Sequence, residues 1–223
     1  MLFKKELRET LALIDRMLVA VQVGIPTRGK TGAELRRVVG NFQAHEVEMV
    51  EDFTIGTKLF ACFEQARLAG ATLDTMDGVR KAMLAEQPQF YFGRSAKLAG
   101  MVFSFVEQAT IISKMTFFSR ADAEATLIRM AQVIETLKLE VAELLDGIDY
   151  RNLTALAAML TQHLAVTERK LPFVVNYDMP SPRTALSLAN YLYGDGARYD
   201  ELIAENRVIH PAFFPRDVHA LSR

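Results

Sequence analysis

VQVGIPTRGKTGAEL, residues 21–35, carries the choice between two folds. Within it Gly24, Gly29, Lys30 and Thr31 fill the fixed positions of G-x-x-x-x-G-K-[ST], the phosphate-cradling P-loop pattern. Such a loop works only between a strand and a helix that starts at the Lys, because loop N–H groups and the helix terminus hold phosphate together. Residues 18–23 read as that strand and 30–39 as that helix. Read the other way, the same letters form a turn between two helices: Pro26 and the glycines stop one helix, and Thr31 caps the next.

The surrounding sequence favours the second reading. P-loop enzymes need a parallel sheet built from several short β-branched runs, and residues 33–171 contain no convincing run of that kind. The acid that holds Mg²⁺ should end an apolar strand, whereas Glu51, Asp52 and Asp122 lie in helical or capping patterns. Helical spacing predicts a helix over 2–23 and mostly helix over 33–68, with Gly40 and Gly56 as breaks. Another follows over 73–86, where Leu73, Met76, Val79 and Met83 share a face and Pro88 follows as a stop. Residues 95–118 place Leu98, Met101, Val102, Phe105, Ala109 and Ile112 on one stripe. Phe103, Val106 and Ile111 lie off it, so this helix is apolar on most sides and belongs inside a bundle or at a subunit interface.

Ser119-Arg-Ala-Asp122 is a capping box: the Ser119 hydroxyl takes a free N–H of the first turn and Asp122 reaches back. Leu127, Met130, Ala131, Ile134, Leu137, Val141, Leu144 and Leu145 then recur at three and four, and Gly147 suits the left-handed position that ends a helix. The next helix carries Leu153, Leu156, Ala157, Leu160 and Leu164 on one face, and the short connection makes the two helices antiparallel neighbours. After Pro172 the composition changes. FVVNY at 173–177 reads as a strand, 184–193 and 197–205 as short helices, and 218–221 as a closing strand. Asp195 caps the second short helix and Asn206 is its left-handed stop.

The totals set limits. Half of the 223 residues are apolar, so a packed core is expected. With 26 basic and 27 acidic residues and no basic run, the chain has no footprint for nucleic acid. Cys62 is alone and sits among Phe60, Ala61 and Phe63, where an inert buried thiol is expected. His45-Glu46 lacks a His at 49, so H-E-x-x-H fails, and His45, His163, His210 and His219 are scattered. No G-x-S-x-G elbow occurs. We expect no catalytic residue, no metal and no cofactor. Charges at Glu6, Arg8, Glu9, Asp15 and Arg16 interrupt the first apolar runs, so no signal peptide is expected, and the longest apolar run, 98–113, is broken by Glu107 and falls short of the roughly 20 residues a membrane span needs.

The stretch from Phe117 onward resembles the Mu-like bacteriophage tail/DNA circularisation protein family. The resemblance rests on FFSRADAEA, DYRNLTALAAMLTQHL and LPFVVNYDMPSPRTALSLANYLYGDGARYDELIAENRVIHPAFFP. Its most specific part is Leu192-Tyr193-Gly194-Asp195 with Arg198, Asp200-Glu-Leu202, Asn206 and His210-Pro211-x-Phe213-x-Pro215. The last fifty residues also look like a LysM domain by their β-α-α-β order, although they lack its Gly-Asp-Thr-Leu and Gly-x-x-Leu-x-Ile-Pro signatures.

The expected architecture is mainly α: a long-helix bundle over 1–170 and a small LysM-like β-α-α-β module over 171–223. The resemblance implies a structural subunit of a phage tail baseplate or hub, made in the host bacterial cytoplasm and present in several copies. It would dock on neighbouring tail proteins. Tyr191, Tyr193, Gly194, Asp195, Arg198, Asn206, His210, Pro211 and Phe213 form the module motif and candidate interface. The alternatives are an NTP-binding enzyme using Gly24, Gly29, Lys30 and Thr31, and a LysM protein that binds peptidoglycan.

Overall fold

A computed structural model describes residues 2–26, 29–142, 144 and 147–222. The described residues are mainly helical, with one two-stranded antiparallel sheet. By its contacts the chain divides into two compact units, Met1–Met115 with Val133–Thr154 and Thr116–Gln132 with Ala155–Arg223.

The first unit begins with α1, Leu2–Gln22. Residues 18–23 are therefore not a strand, apart from a turn at the end. Leu13, Met17, Leu18 and Val21 are buried at helical spacing, while Val19 and Val23, which lend the run its β-branched look, are exposed. Gly24 and Gly29 both have positive φ, 77° and 101°. Thr27 and Arg28 lie outside the described residues. α2, Lys30–Glu51, starts directly after Gly29 with no side-chain cap, so Thr31 lies inside its first turn and does not cap it. Gly40 sits on an exposed face within α2 and causes no break. The break comes at residues 52–54, and Gly56 is already the second residue of α3, Ile55–Leu68.

α4, Leu73–Ala85, opens with a capping box in which the Thr72 and Thr75 side chains bond each other's N–H groups. α5, Tyr91–Ile112, starts four residues earlier than the apolar stripe predicts and ends six residues sooner. Its early start comes from α1. The Glu9 carboxylate accepts the N–H groups of Gln89 and Phe90 at 2.9 and 3.0 Å, and Glu6 accepts that of Phe92 at 3.1 Å. Acceptors from another helix thus satisfy free donors at the α5 terminus and favour its dipole.

α5 packs against α1, α3 and α4. Leu98, Met101, Phe105, Ala109 and Ile112 are buried as the stripe predicts, and Val102, Phe103, Val106 and Ile111 are half-buried. A Cβ on Gly100 would lie 2.4 Å from the Met17 terminal methyl, so the missing side chain lets α1 and α5 approach closely. The same helix also buries Lys97, Ser104, Glu107 and Gln108. Glu107 pairs with Arg67 of α3, and Lys97 with Glu140 at 3.0 Å. Buried charges of this kind persist only when paired.

α6, Arg120–Ala142, and α7, Gly147–Lys170, each divide between the two units. Ser119 Oγ accepts the Asp122 N–H at 3.2 Å, the forward half of the expected box. The buried stripe of α6 is Ala123, Thr126, Met130, Val133, Ile134, Leu137 and Val141. It is rotated from the expected one, so Leu127 is half-buried and Ala131 exposed. Leu145 lies outside the described residues. Gly147 belongs to the start of α7 and does not end α6, which stops at Ala142. On α7, Leu153, Ala157, Leu160 and Leu164 are buried as expected, with Leu156 half-buried. The beginning of α6 meets the end of α7: Arg120 N–H donates to Pro172 O at 3.0 Å, as the antiparallel expectation requires.

The C-terminal module of the second unit comprises β1, Val174–Asp178; α8, Ala185–Tyr193; a 3-10 turn, Gly196–Arg198; α9, Tyr199–Asn206; and β2, Asp217–Leu221. β1 pairs antiparallel with β2, Val174 opposite Leu221 and Asp178 opposite Asp217. Its core is Met179, Ala185, Leu188, Ala189, Tyr193, Leu202, Phe214, Val218 and Ala220.

A candidate docking surface on the C-terminal module

The motif residues of the module divide into those that hold it together and those that face outward. Gly194 ends α8 in the left-handed conformation, φ 71°, which an L side chain resists. Asp195 Oδ1 accepts the Ala197 N–H at 2.9 Å and so caps the turn that leads into α9. The buried Tyr193 hydroxyl accepts the Leu221 N–H at 2.9 Å, fastening α8 to the end of β2. Burial pushes that phenol above its ordinary pKa, against the lowering effect of the Leu221 N–H and Arg198. Arg198 lies over the Tyr193 ring, 3.9 Å from guanidinium carbon to centroid, and donates to Glu201 at 2.7 and 2.9 Å.

Asn206 is not the left-handed stop that its residue type suggests. It is the last residue of α9, and Arg207 takes the positive φ of 50°. The Asn206 side chain is otherwise engaged. Its Nδ2 donates to Leu202 O at 2.8 Å and to His219 O at 2.6 Å, while its Oδ1 accepts the His219 N–H at 2.7 Å. One amide thus satisfies both main-chain groups of His219 on the edge of β2 that β1 does not cover. Pro211 contributes its carbonyl, which accepts the Ala185 N–H at 2.8 Å, and Phe214 N–H donates to Arg183 O at 3.2 Å. The loop after α9 is thereby tied to the start of α8.

The outward set starts from Tyr191, 63% exposed, whose ring lies under the Arg183 guanidinium at 4.6 Å. Phe213 is 77% exposed, and its ring sits 5.4 Å from that of His210, whose Nδ1 accepts the Ala212 N–H. Ile209 is fully exposed. Arg183 and Ile209 are the members that the motif reading omits. Ile209 lies in the mixed run RVIHPAFFP after α9, which gives no local sign of its exposure, and Arg183 joins through its contact with the Tyr191 ring. The surface has the composition of a docking patch: rigid amphipathic aromatics, an Arg on a ring face, and apolar side chains without a core to enter.

The strand that the P-loop pattern requires before Gly24 is a helix, α1, in the structure. Gly24, Gly29, Lys30 and Thr31 follow a helix, and the described strands, β1 and β2, lie in the C-terminal module. Among the described residues no group of three His, Cys, Asp or Glu could hold a metal ion, and no helix is long and apolar enough to cross a membrane. No protein-family model matches the chain, and no curated protein matches it in sequence.

Proposed function

We propose that this chain is a non-enzymatic structural subunit of the tail baseplate or hub of a bacteriophage or phage-like particle, acting by docking on neighbouring tail proteins. One observation carries the reading. In the C-terminal module Tyr193, Asp195, Arg198 and Asn206 are engaged in internal contacts, while Tyr191, Ile209 and Phe213 are largely exposed, Tyr191 under the Arg183 guanidinium and Phe213 beside the His210 ring. Residues that staple the module and residues that offer contact area fit an assembly component. The module is read as LysM-like on its β-α-α-β order, here as a packing unit.

The test is immunogold electron microscopy of particles from the producing cell, with an antibody against residues 171–223. Label at one end of the tail is expected. Absence of label, together with absence of the chain's peptides from particles by mass spectrometry, overturns the proposal. Retention of the full chain on washed cell-wall sacculi, lost in Tyr191→Ala, would instead move glycan binding ahead of docking.

A further inference from the structure

The two outer edges of the β1–β2 sheet differ. Met179 N–H donates to Arg216 O at 2.8 Å, and Ser222 N–H to Phe173 O at 2.7 Å. Because an antiparallel ladder alternates, Phe173, Val175, Tyr177 and Met179 turn their main-chain groups toward β2, and Val174, Asn176 and Asp178 turn theirs away. The same alternation points His219 and Leu221 away from β1. Those groups are taken: Asn206 bonds both main-chain groups of His219, and the Tyr193 hydroxyl accepts the Leu221 N–H. On the β1 side no hydrogen bond among the described residues reaches the outward N–H and C=O groups of Val174, Asn176 and Asp178, and residues 175–178 are exposed. β1 also lacks the devices that blunt an edge, since VVNYD contains no Lys or Pro and pairs with β2 without a bulge.

The side chains say what the open edge suits. Val175 and Tyr177 lie opposite Ala220 and Val218, two members of the module core, and so on the core face of the sheet. Ala220 and Val218 are buried, yet Val175 and Tyr177 are 38% and 39% exposed. On the other face Asp178 stands directly opposite Asp217. Both are exposed, and neither carboxylate has an ion pair among the described residues. Like charges in that position weaken a ladder.

We infer that β1 takes an antiparallel strand of a different protein, with β-branched or aromatic side chains opposite Val175 and Tyr177 and a Lys or Arg opposite Asp178. Main-chain bonds to Val174, Asn176 and Asp178 would carry the affinity. Val175 and Tyr177 then fall at non-hydrogen-bonded pairs, where cross-strand side chains come closest. The cation answers two carboxylates at once, and a third strand steadies a sheet that is marginal with two. A second copy of β1 paired about Asn176 would set Val174 opposite Asp178 and leave the acids unneutralised, so charge complementarity selects a foreign strand. The inference does not depend on the tail reading.

NMR titration of the full chain with the capped peptide Lys-Val-Thr-Val-Thr tests it. Amide exchange should slow at Val174, Asn176 and Asp178 as peptide is added. Asn176→Pro removes the central outward N–H, spares the main-chain bonds to β2, and should weaken binding by roughly tenfold or more. Asp178→Lys should weaken it by about fivefold, and a peptide with Glu in place of Lys should restore it. Circular dichroism melts report whether the variants fold, and the charge swap decides the matter if Asn176→Pro does not. No slowing at the highest soluble peptide concentration overturns the inference, as does an affinity indifferent to the charge swap. So does a wild-type dimer in sedimentation velocity that Asn176→Pro dissolves, which would make the occupant a second copy.

Discussion

The first unit and the C-terminal module solve the same problem at different ranges. In the first, helices far apart in sequence complete one another. Glu9 and Glu6 of α1 cap α5, Arg67 of α3 neutralises Glu107 of α5, and Gly100 yields its space to Met17. In the module most polar fastenings come from nearby residues: Thr184 caps α8, Asp195 caps the 3-10 turn, and Arg198 pairs with Glu201. Its longer ties, Tyr193 to Leu221 and Asn206 to His219, secure the far strand. A large helical unit can bury enough apolar surface to tolerate buried ions, whereas a small module with few core residues relies more on fully satisfied hydrogen bonds.

The largest way to break this contrast is in the α5 core. Phe105→Ala leaves a cavity among fully buried neighbours and should destabilise the first unit by ~3–5 kcal/mol, read by chemical denaturation. In the module Asn206→Ala should cost ~1–3 kcal/mol, because both main-chain groups of His219 lose their partner. Faster amide exchange at His219 would accompany it, and an unchanged rate would refute the clamp. A smaller effect is expected at the cross-helix cap. Glu9→Ala should lose about 1 kcal/mol and fray α5 from residue 91, seen as lost protection at Phe90.

The smallest effect is electrostatic. Burial raises the Glu46 carboxyl above its ordinary pKa, with Asp15 adding to the rise, and its Oε2 has no hydrogen-bond partner among the described residues. A group bound more tightly to its proton in the folded state contributes stability that is full below its unfolded value and lost as pH rises through the raised one. Stability should therefore increase slightly as pH falls from neutral toward the ordinary carboxylate range, and Glu46→Gln should flatten that increase in pH-dependent melts. Lowered groups such as Asp77, where bonds from Lys81 and Arg80 overcome burial, and Glu86, bonded by Arg16, act below that window with the opposite sign.

Much of the fold was legible because helical periodicity is a local property with a global cause. The stripes of α5 and α7 and the inert Cys62, whose thiol burial pushes up to about 12, follow from which side chains avoid water. The helix expected over 2–23 also forms, and the strand that residues 18–23 resemble by composition does not, because burial of Met17, Leu18 and Val21 holds them in α1. The misreadings take glycine as the mark of a helix end. α2 instead ends on Phe53, and Gly40 stays inside it, because end geometry depends on main-chain bonds that several residue types can adopt at a penalty. The candidate surface was legible at Tyr191 and Phe213 but not at Arg183, whose contact with the Tyr191 ring no local pattern records.

The sequence by itself determined the helical class, the β-α-α-β order of the tail and the apolar faces, since each follows from spacing, turn chemistry and hydrophobicity within a few residues. Only the tertiary structure decided that carboxylates of α1 cap α5 and that Asn206 clamps β2. Hydrogen bonds and charges act over a few ångströms of space. Which residues come within that distance is set by how the helices pack, and no local pattern records it.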